Sequence, residues 1–274
     1  MQSFSISVFK YGGNAMTNEG LKSEIITILS DLVDRGQKIV VVHGGGPFIK
    51  KALAAAKIES EFIDGHRKTS PEALIHVEKA LKGEVNSDLV GRFNRMGHKA
   101  VGLSGKDGRT VTAVKRVHVG TDDGIEKDLG QVGDVGNIDP TLIKLLLNKG
   151  YIPVLTCIAA DERGEDYNIN ADMFAGHLAG ALHAERFIVM TDVDGLLEDI
   201  KNPSSLIREL KVARLTELKD SGTIVGGMLP KVEACEVAIE KGARQAIILN
   251  GTNPDQLRTL LSGTPAGTKI IKSD

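Results

Sequence analysis

Two lysines beside glycine-rich turns are the chemically suggestive residues of this 274-residue chain. Lys10 ends the apolar run Ser5 to Phe9 and is followed at once by Tyr11-Gly12-Gly13-Asn14-Ala15-Met16. Lys231 comes after Gly226-Gly227-Met228-Leu229-Pro230, on the first turn of an amphipathic helix. A third turn, His43-Gly44-Gly45-Gly46-Pro47, has the glycines without a lysine. Glycine lets backbone N–H groups come close to a ligand, and a helix starting behind it adds partial positive charge. Such turns suit phosphate or carboxylate, and three of them with two lysines suggest two anions held face to face.

Each residue has a plainer reading beside the chemical one. Lys10 stands at the C-terminal end of a strand, the edge where open α/β sheets bind ligands, although strand-end lysines are often only solvated charges. Lys231 opposes the dipole of its own helix, which favours an anion ligand over a stabilising role. In Asn168-Ile169-Asn170-Ala171-Asp172, Asn170 reads as an N-cap; that leaves Asn168 and Asp172 over, and Asp172 is a carboxylate able to organise two lysines electrostatically. Arg67, in Gly65-His66-Arg67-Lys68-Thr69, is either a bidentate carboxylate clamp or part of a solvated basic loop. Asp192 and Asp194, in Thr191-Asp192-Val193-Asp194-Gly195-Leu196, lack further metal ligands at suitable spacing and read as a turn lining a nucleotide pocket. His43 reads as a structural residue before its turn. There is no Walker A sequence, no protein-kinase motif set and no G-x-G-x-x-G spacing at the turns.

These residues must be positioned by an alternation of strands and helices that runs the length of the chain. Strands are expected at Ser5 to Phe9, Lys38 to Val42, Val101 to Leu103, Tyr151 to Ile158, Arg186 to Thr191, Ala246 to Asn250 and, at an edge, Thr268 to Ile271. Between them, helices follow the signals Gly36 as a stop, Ser70-Pro71 as a start running to about Gly83, Asp139-Pro140, Ala171 to Leu182, Pro230 to Lys241 and Pro254 to Leu261. The expectation is an α/β fold: a three-layer αβα sandwich around an open, mostly parallel sheet. Lys106 to Gly133 departs from this grammar, with turn signals at Asp107-Gly108 and Asp122-Asp123-Gly124, and reads as antiparallel hairpins over the sheet's end. A soft boundary near Ile169 to Ala175 would divide a single domain into lobes of about residues 1–175 and 176–274.

Composition removes other classes. A net charge of −2 gives no electrostatic case for nucleic acid or an anionic membrane, and the absence of Trp disfavours a base-stacking platform. Cys157 and Cys235 read as buried reduced thiols. No apolar run approaches a membrane span and no signal-peptide pattern is visible, so a cytoplasmic protein is expected.

Taken together and in order, Lys-Tyr-Gly-Gly-Asn-Ala-Met, Val-His-Gly-Gly-Gly-Pro, Gly-His-Arg-Lys-Thr, Asn-Ile-Asn-Ala-Asp, Thr-Asp-Val-Asp-Gly and Gly-Gly-Met-Leu-Pro-Lys resemble the amino acid kinase family. Within it they are most similar to members acting on N-acetyl-L-glutamate. The resemblance implies transfer of the ATP γ-phosphoryl group to that side-chain carboxylate, giving an acyl phosphate in arginine biosynthesis. By motif, Lys10 and Lys231 would stabilise the transferring group and Asp172 would position both. Gly44, Gly45, Gly46, Arg67, Asn168 and Asn170 would hold the acetylated amino acid. Gly12 and Gly13 would face the phosphates. Asp192, Val193, Asp194, Gly195, Leu196 and Leu197, with Thr223, Ile224 and Val225, would line the ATP site, and Mg²⁺ would arrive with the nucleotide.

The chemistry agrees with the residues: a side-chain carboxylate with a pKa of about 4.3 is ionised at neutral pH, so no general base is needed. Two rivals remain beside this reading, a carrier-linked aminoadipate or glutamate kinase of lysine biosynthesis and a catalytically silent amino-acid or nucleotide sensor. Aspartate kinases differ after the first lysine. The chain starts at its first strand, without residues for the N-terminal helix of arginine-inhibited hexameric relatives. An arginine-insensitive homodimer is therefore expected.

Overall fold

The computed structural model describes residues 5–120 and 124–273, so Asp122 and Asp123 of the expected turn lie outside the described residues. Its centre is an eight-stranded sheet. In spatial order the strands are Glu209–Lys211, Thr268–Ile271, Gln245–Asn250, Arg186–Thr191, Ile6–Tyr11, Lys38–His43, Tyr151–Thr156 and Lys99–Ser104. All neighbours run parallel except Gln245–Asn250 with Thr268–Ile271.

Strand alternation builds the three layers. Val8, Val40, Val42, Leu155 and Val189 face one helical layer; Phe9, Ile39, Val41, Val154 and Ile188 face the other. Both faces are covered, which is why a strand such as Lys38–His43 reads as a near-continuous β-branched run. On the first face lie the helices Gly46–Ala55, Ala171–Ala181 and Leu229–Glu240; on the second lie Glu19–Asp34 and Pro254–Leu261. Among the described residues no helix is long and apolar enough to cross a membrane.

Three expectations need correction. Thr268–Ile271 is not an edge strand, because Glu209–Lys211 pairs outside it. The helix from Pro71 does not stop at Gly83: Pro71–Glu78 passes into a π-helical stretch, Lys79–Asn86, and then into Ser87–Arg95. Leu81, Val85, Leu89 and Phe93, four residues apart, stay buried through it, and that burial outweighs the roughly 1 kcal/mol that an interior glycine costs. The strand from Tyr151 breaks at Cys157.

The irregular stretch does form antiparallel pairs, Val111–Lys115 with Val132–Ile138 and His118–Val119 with Glu126–Lys127. The first pair closes with Ile158–Ala160 and Asp166–Ile169 into a small four-stranded barrel. That barrel delivers Asn168 and Asn170 to the same sheet edge as Lys10.

Candidate active site

Lys10 shares a sheet face with Val8, the face covered by the helices Ala171–Ala181 and Leu229–Glu240. Those two helices present Asp172 and Lys231 from their first turns. Asn170 is the cap of the first: its Oδ1 accepts from the N–H groups of Asp172 at 2.9 Å and Met173 at 3.2 Å. Asp172 is buried between the two ammonium groups, with Lys10 Nζ 2.9 Å from Oδ1 and Lys231 Nζ 3.3 Å from Oδ2. Burial opposes its ionisation, but Lys10 first and Lys231 second outweigh it and hold the carboxyl below the usual range. Lys231 also donates to Gly227 O at 3.1 Å. Gly12 makes room for this: a Cβ there would lie 3.1 Å from Lys10 Nζ.

Two cavities meet at this centre, sharing Lys10, Gly12, Gly13 and Lys231. The larger, about 460 Å³, lies on the side of the C-terminal strands. Asp192, Val193, Gly195, Leu196 and Leu197 line it, as do Thr223, Ile224 and Val225. Asp194 does not; its Oδ1 accepts from Asn250 Nδ2 at 2.8 Å, tying the turn to the end of a neighbouring strand. Ile200, Met190, Met228 and Thr252 also line this cavity and were not singled out from sequence. Met228 lies within the quoted Gly-Gly-Met-Leu-Pro-Lys motif, but the other three carry no motif and come from separate segments. The turn Asp192 to Leu197 is clipped by Thr268, whose buried hydroxyl accepts from Leu196 N–H at 2.8 Å and donates to Ile207 O at 2.6 Å.

The second cavity, about 350 Å³, is lined by Gly44, Gly45, Gly46, Arg67, Asn168 and Asn170. The Gly44 N–H does not serve it directly, because it donates to Tyr11 O at 3.1 Å and extends the strand pairing by one rung. Gly45 is tightly packed: a Cβ there would stand 2.6 Å from Leu81 Cδ2 on the π-helical stretch, so that buried side chain would have to shift. Arg67 comes from a two-stranded hairpin, Phe62–Ile63 with His66–Arg67, whose turn residues Asp64 and Gly65 have φ of 46° and 79°. That is the left-handed conformation an Asp-Gly hairpin turn favours. The guanidinium lies 4.4 Å over the Phe62 ring and donates to Ser60 Oγ. Burial lowers its pKa from the usual value without threatening its charge. Thr69, fully buried, links Arg67 O (2.8 Å) to Asn168 Nδ2 (3.4 Å). Phe62, Leu81 and Val132 add apolar wall to this cavity and were not read from sequence.

Among the described residues no group of three or more His, Cys, Asp or Glu side chains is set to hold a metal. Cys157 and Cys235 are buried and free, and burial pushes the Cys157 thiol up to about 12. What the arrangement offers is a pair of lysines between two cavities, one with a guanidinium and amides for a small anion, the other larger and walled mostly by apolar residues.

The profile of the amino acid kinase family matches residues 5–250. An acetylglutamate kinase of Methanocaldococcus jannaschii is 46% identical over 255 residues, covering 92% of this chain and 85% of that one. One from Methanococcus maripaludis is 43% identical, covering 97% and 91%, and one from Moorella thermoacetica is 42% identical, covering 96% and 90%. Among solved structures, carbamate kinase from Giardia lamblia bound to AMP-PNP superposes with a TM-score of 0.71 at 18% identity over the whole of both chains. N-acetylglutamate synthase from Neisseria gonorrhoeae gives 0.80 at 21% identity, covering 98% of this chain and 60% of that one. At those identities the likeness is one of fold.

Proposed function

The chain belongs to the amino acid kinase family, and from that premise we propose that it phosphorylates the side-chain carboxylate of N-acetyl-L-glutamate with ATP, forming N-acetyl-L-glutamyl 5-phosphate. Relatives named acetylglutamate kinase, alike along nearly the whole chain, support the substrate. The observation that carries the chemistry is the shared wall: Lys10 and Lys231, bridged by Asp172, border both cavities at once.

The larger cavity takes ATP and the smaller one the acetylated amino acid. An open phosphate cradle at Gly12, whose Cβ would crowd the Lys10 ammonium, and apolar Leu196, Ile224 and Val225 beyond it suit a nucleotide. Arg67 clamps a carboxylate of the acceptor while Asn168 and Gly45 orient the rest. The attacking carboxylate is already ionised, so the chain's task is to bring two anions together and neutralise charge spreading over the phosphoryl oxygens. Lys10 and Lys231 do this from either side. Asp172 keeps both ammonium groups aimed at one point and offsets their mutual repulsion. Mg²⁺ carried by the nucleotide supplies further charge neutralisation.

The same reading assigns the acceptor site to residues 1–175 and the nucleotide site to residues 176–274, and it carries the homodimer expected from the family resemblance, which light scattering tests. A hydroxamate-trapping assay with ATP, comparing N-acetylglutamate, glutamate, aspartate and aminoadipate, tests the function. Turnover confined to N-acetylglutamate is expected; preference for glutamate, aspartate or aminoadipate, or no turnover of any of the four, overturns it.

A further inference from the structure

Behind the glycine turn of the acceptor cavity sits a buried polar pair that the chemistry above does not use. His43 is 0% exposed and Asn86, the last residue of the π-helical stretch, is 2% exposed. Asn86 Nδ2 lies 2.9 Å from Val154 O and 2.9 Å from His43 Nε2, and His43 Nδ1 lies 2.9 Å from Gly44 O.

These contacts determine their own protonation. Val154 O can only accept, so the Asn86 amide must turn its NH₂ toward it; reversing the amide would set two acceptors against each other. The same NH₂ then donates to His43 Nε2. A neutral imidazole with Nε2 accepting carries its proton on Nδ1, which donates to Gly44 O. Burial first, with the Lys82 charge adding to it, depresses the His43 pKa to about 4, so the ring is neutral at physiological pH.

The consequence reaches the cavity through one peptide unit. No cis peptide occurs among the described residues, and in a planar trans peptide the C=O and the following N–H point in opposite directions. Holding the Gly44 carbonyl against the buried imidazole therefore aims the Gly45 N–H away from it. Gly45 lines the acceptor cavity, and the Gly44 N–H is spent on Tyr11. The π-helical stretch provides the second constraint, since Leu81 and Val85 close on Gly45 from behind. Asn86 packs closely against Gly102, where a Cβ would stand 2.0 Å from its Oδ1, so only a glycine leaves it this room.

We propose that His43 and Asn86 are positioning residues for the acceptor: they fix the Gly44–Gly45 peptide so that the Gly45 N–H is presented to the anionic substrate. The proposal rests on assigning the smaller cavity to N-acetyl-L-glutamate. It also gives a role to a π-helical stretch, an element often found at functional sites.

The test compares His43→Asn, which keeps a donor near the Nδ1 position, with His43→Gln, which moves the amide out to the Nε2 position and leaves Gly44 O without its donor. Asn86→Asp, equal in shape and without the two donors, is the second variant. Steady-state kinetics with ATP and N-acetyl-L-glutamate, together with thermal melts, read the outcome. His43→Gln and Asn86→Asp are expected to raise the N-acetyl-L-glutamate KM about tenfold, as one lost hydrogen bond to an anion would. The ATP KM should stay within about twofold, and His43→Asn should recover most of the loss. If both His43 variants behave alike, or if the two KM values rise together in step with lost melting temperature, the pair is only structural and the proposal fails. A wild-type enzyme that does not turn over N-acetyl-L-glutamate would instead overturn the cavity assignment itself, so the two failures are told apart.

Discussion

The two cavities share a wall of Lys10, Gly12, Gly13 and Lys231, yet they are held in shape by different means. The acceptor side rests on buried polar side chains: Thr69 joins Arg67 to Asn168, and the His43–Asn86 pair holds the glycine turn. The nucleotide side rests on backbone turns fastened at their margins, by the Thr268 hydroxyl and by the Asp194–Asn250 pair. The difference follows from ligand size and charge. A small anion is recognised by few donors, each of which must be fixed, whereas a nucleotide spreads its contacts over apolar walls such as Ile200 and Val225. Displacing one wall residue of the nucleotide side therefore costs less than loosening one donor of the acceptor side.

The largest effect should come from the wall both cavities share. Lys231→Ala is expected to lower kcat about a hundredfold to a thousandfold while changing the N-acetyl-L-glutamate KM little, as for loss of a transition-state donor. A kcat within a few-fold of wild type would remove Lys231 from the chemistry. Next, Arg67→Ala should raise the N-acetyl-L-glutamate KM by about tenfold to a hundredfold and spare the ATP KM. A parallel rise in both would erase the division of labour between the cavities.

Acid should destabilise the fold through histidines that burial keeps neutral, His43 of the acceptor framework among them. The folded chain keeps His43 neutral down to about pH 4, while the unfolded chain takes up a proton near the usual histidine value of 6.5. Stability is therefore complete above about pH 6.5 and falls as pH drops toward 4, by about 2 kcal/mol between neutral pH and pH 5. His177, depressed to about 4 by burial and then by Lys241, adds a contribution of the same sign. The carboxylate of Asp172 adds none in that window, since its stabilisation is lost only as pH falls below the ordinary aspartate range. Urea midpoints for wild type and His43→Asn should show the histidine share reduced in the variant; an unchanged slope would mean that His43 is not the titrating group. The smallest effect is expected for Thr268→Val, which strands Leu196 N–H and Ile207 O: a loss of about 1–2 kcal/mol and a few-fold rise in the ATP KM alone. A rise in the N-acetyl-L-glutamate KM instead would contradict the separation.

Much of this architecture was legible because its signals are local. Ser70 and Asn170 are N-caps with their side chains bonded as the sequence suggests, Pro254 opens its helix, and Gly36 and Gly242 take the positive φ expected after helix ends. The misses share one cause. Gly83 reads as a stop, yet the helix continues because Leu81, Val85 and Leu89 find cores on both sides of it. Thr268–Ile271 reads as an edge, yet the short strand Glu209–Lys211 pairs beyond it. His43 reads as structural, and the structure agrees: it is fully buried and bonded to Gly44 O and to Asn86, 43 residues away.

The sequence by itself determined which residue types stand at each turn: the lysines after and before paired glycines, the asparagine caps, the β-branched runs buried on both faces. These depend on interactions spanning a few residues, and periodicity records them. Only the tertiary structure decided that the two lysines sit on the shared wall of two cavities, that Asp194 turns away to Asn250, and that the Gly44 N–H is already committed to Tyr11. Each of those outcomes depends on which strands lie side by side and which helix covers them. Such pairings are selected by burial summed over the whole sheet, a quantity no single stretch of sequence contains.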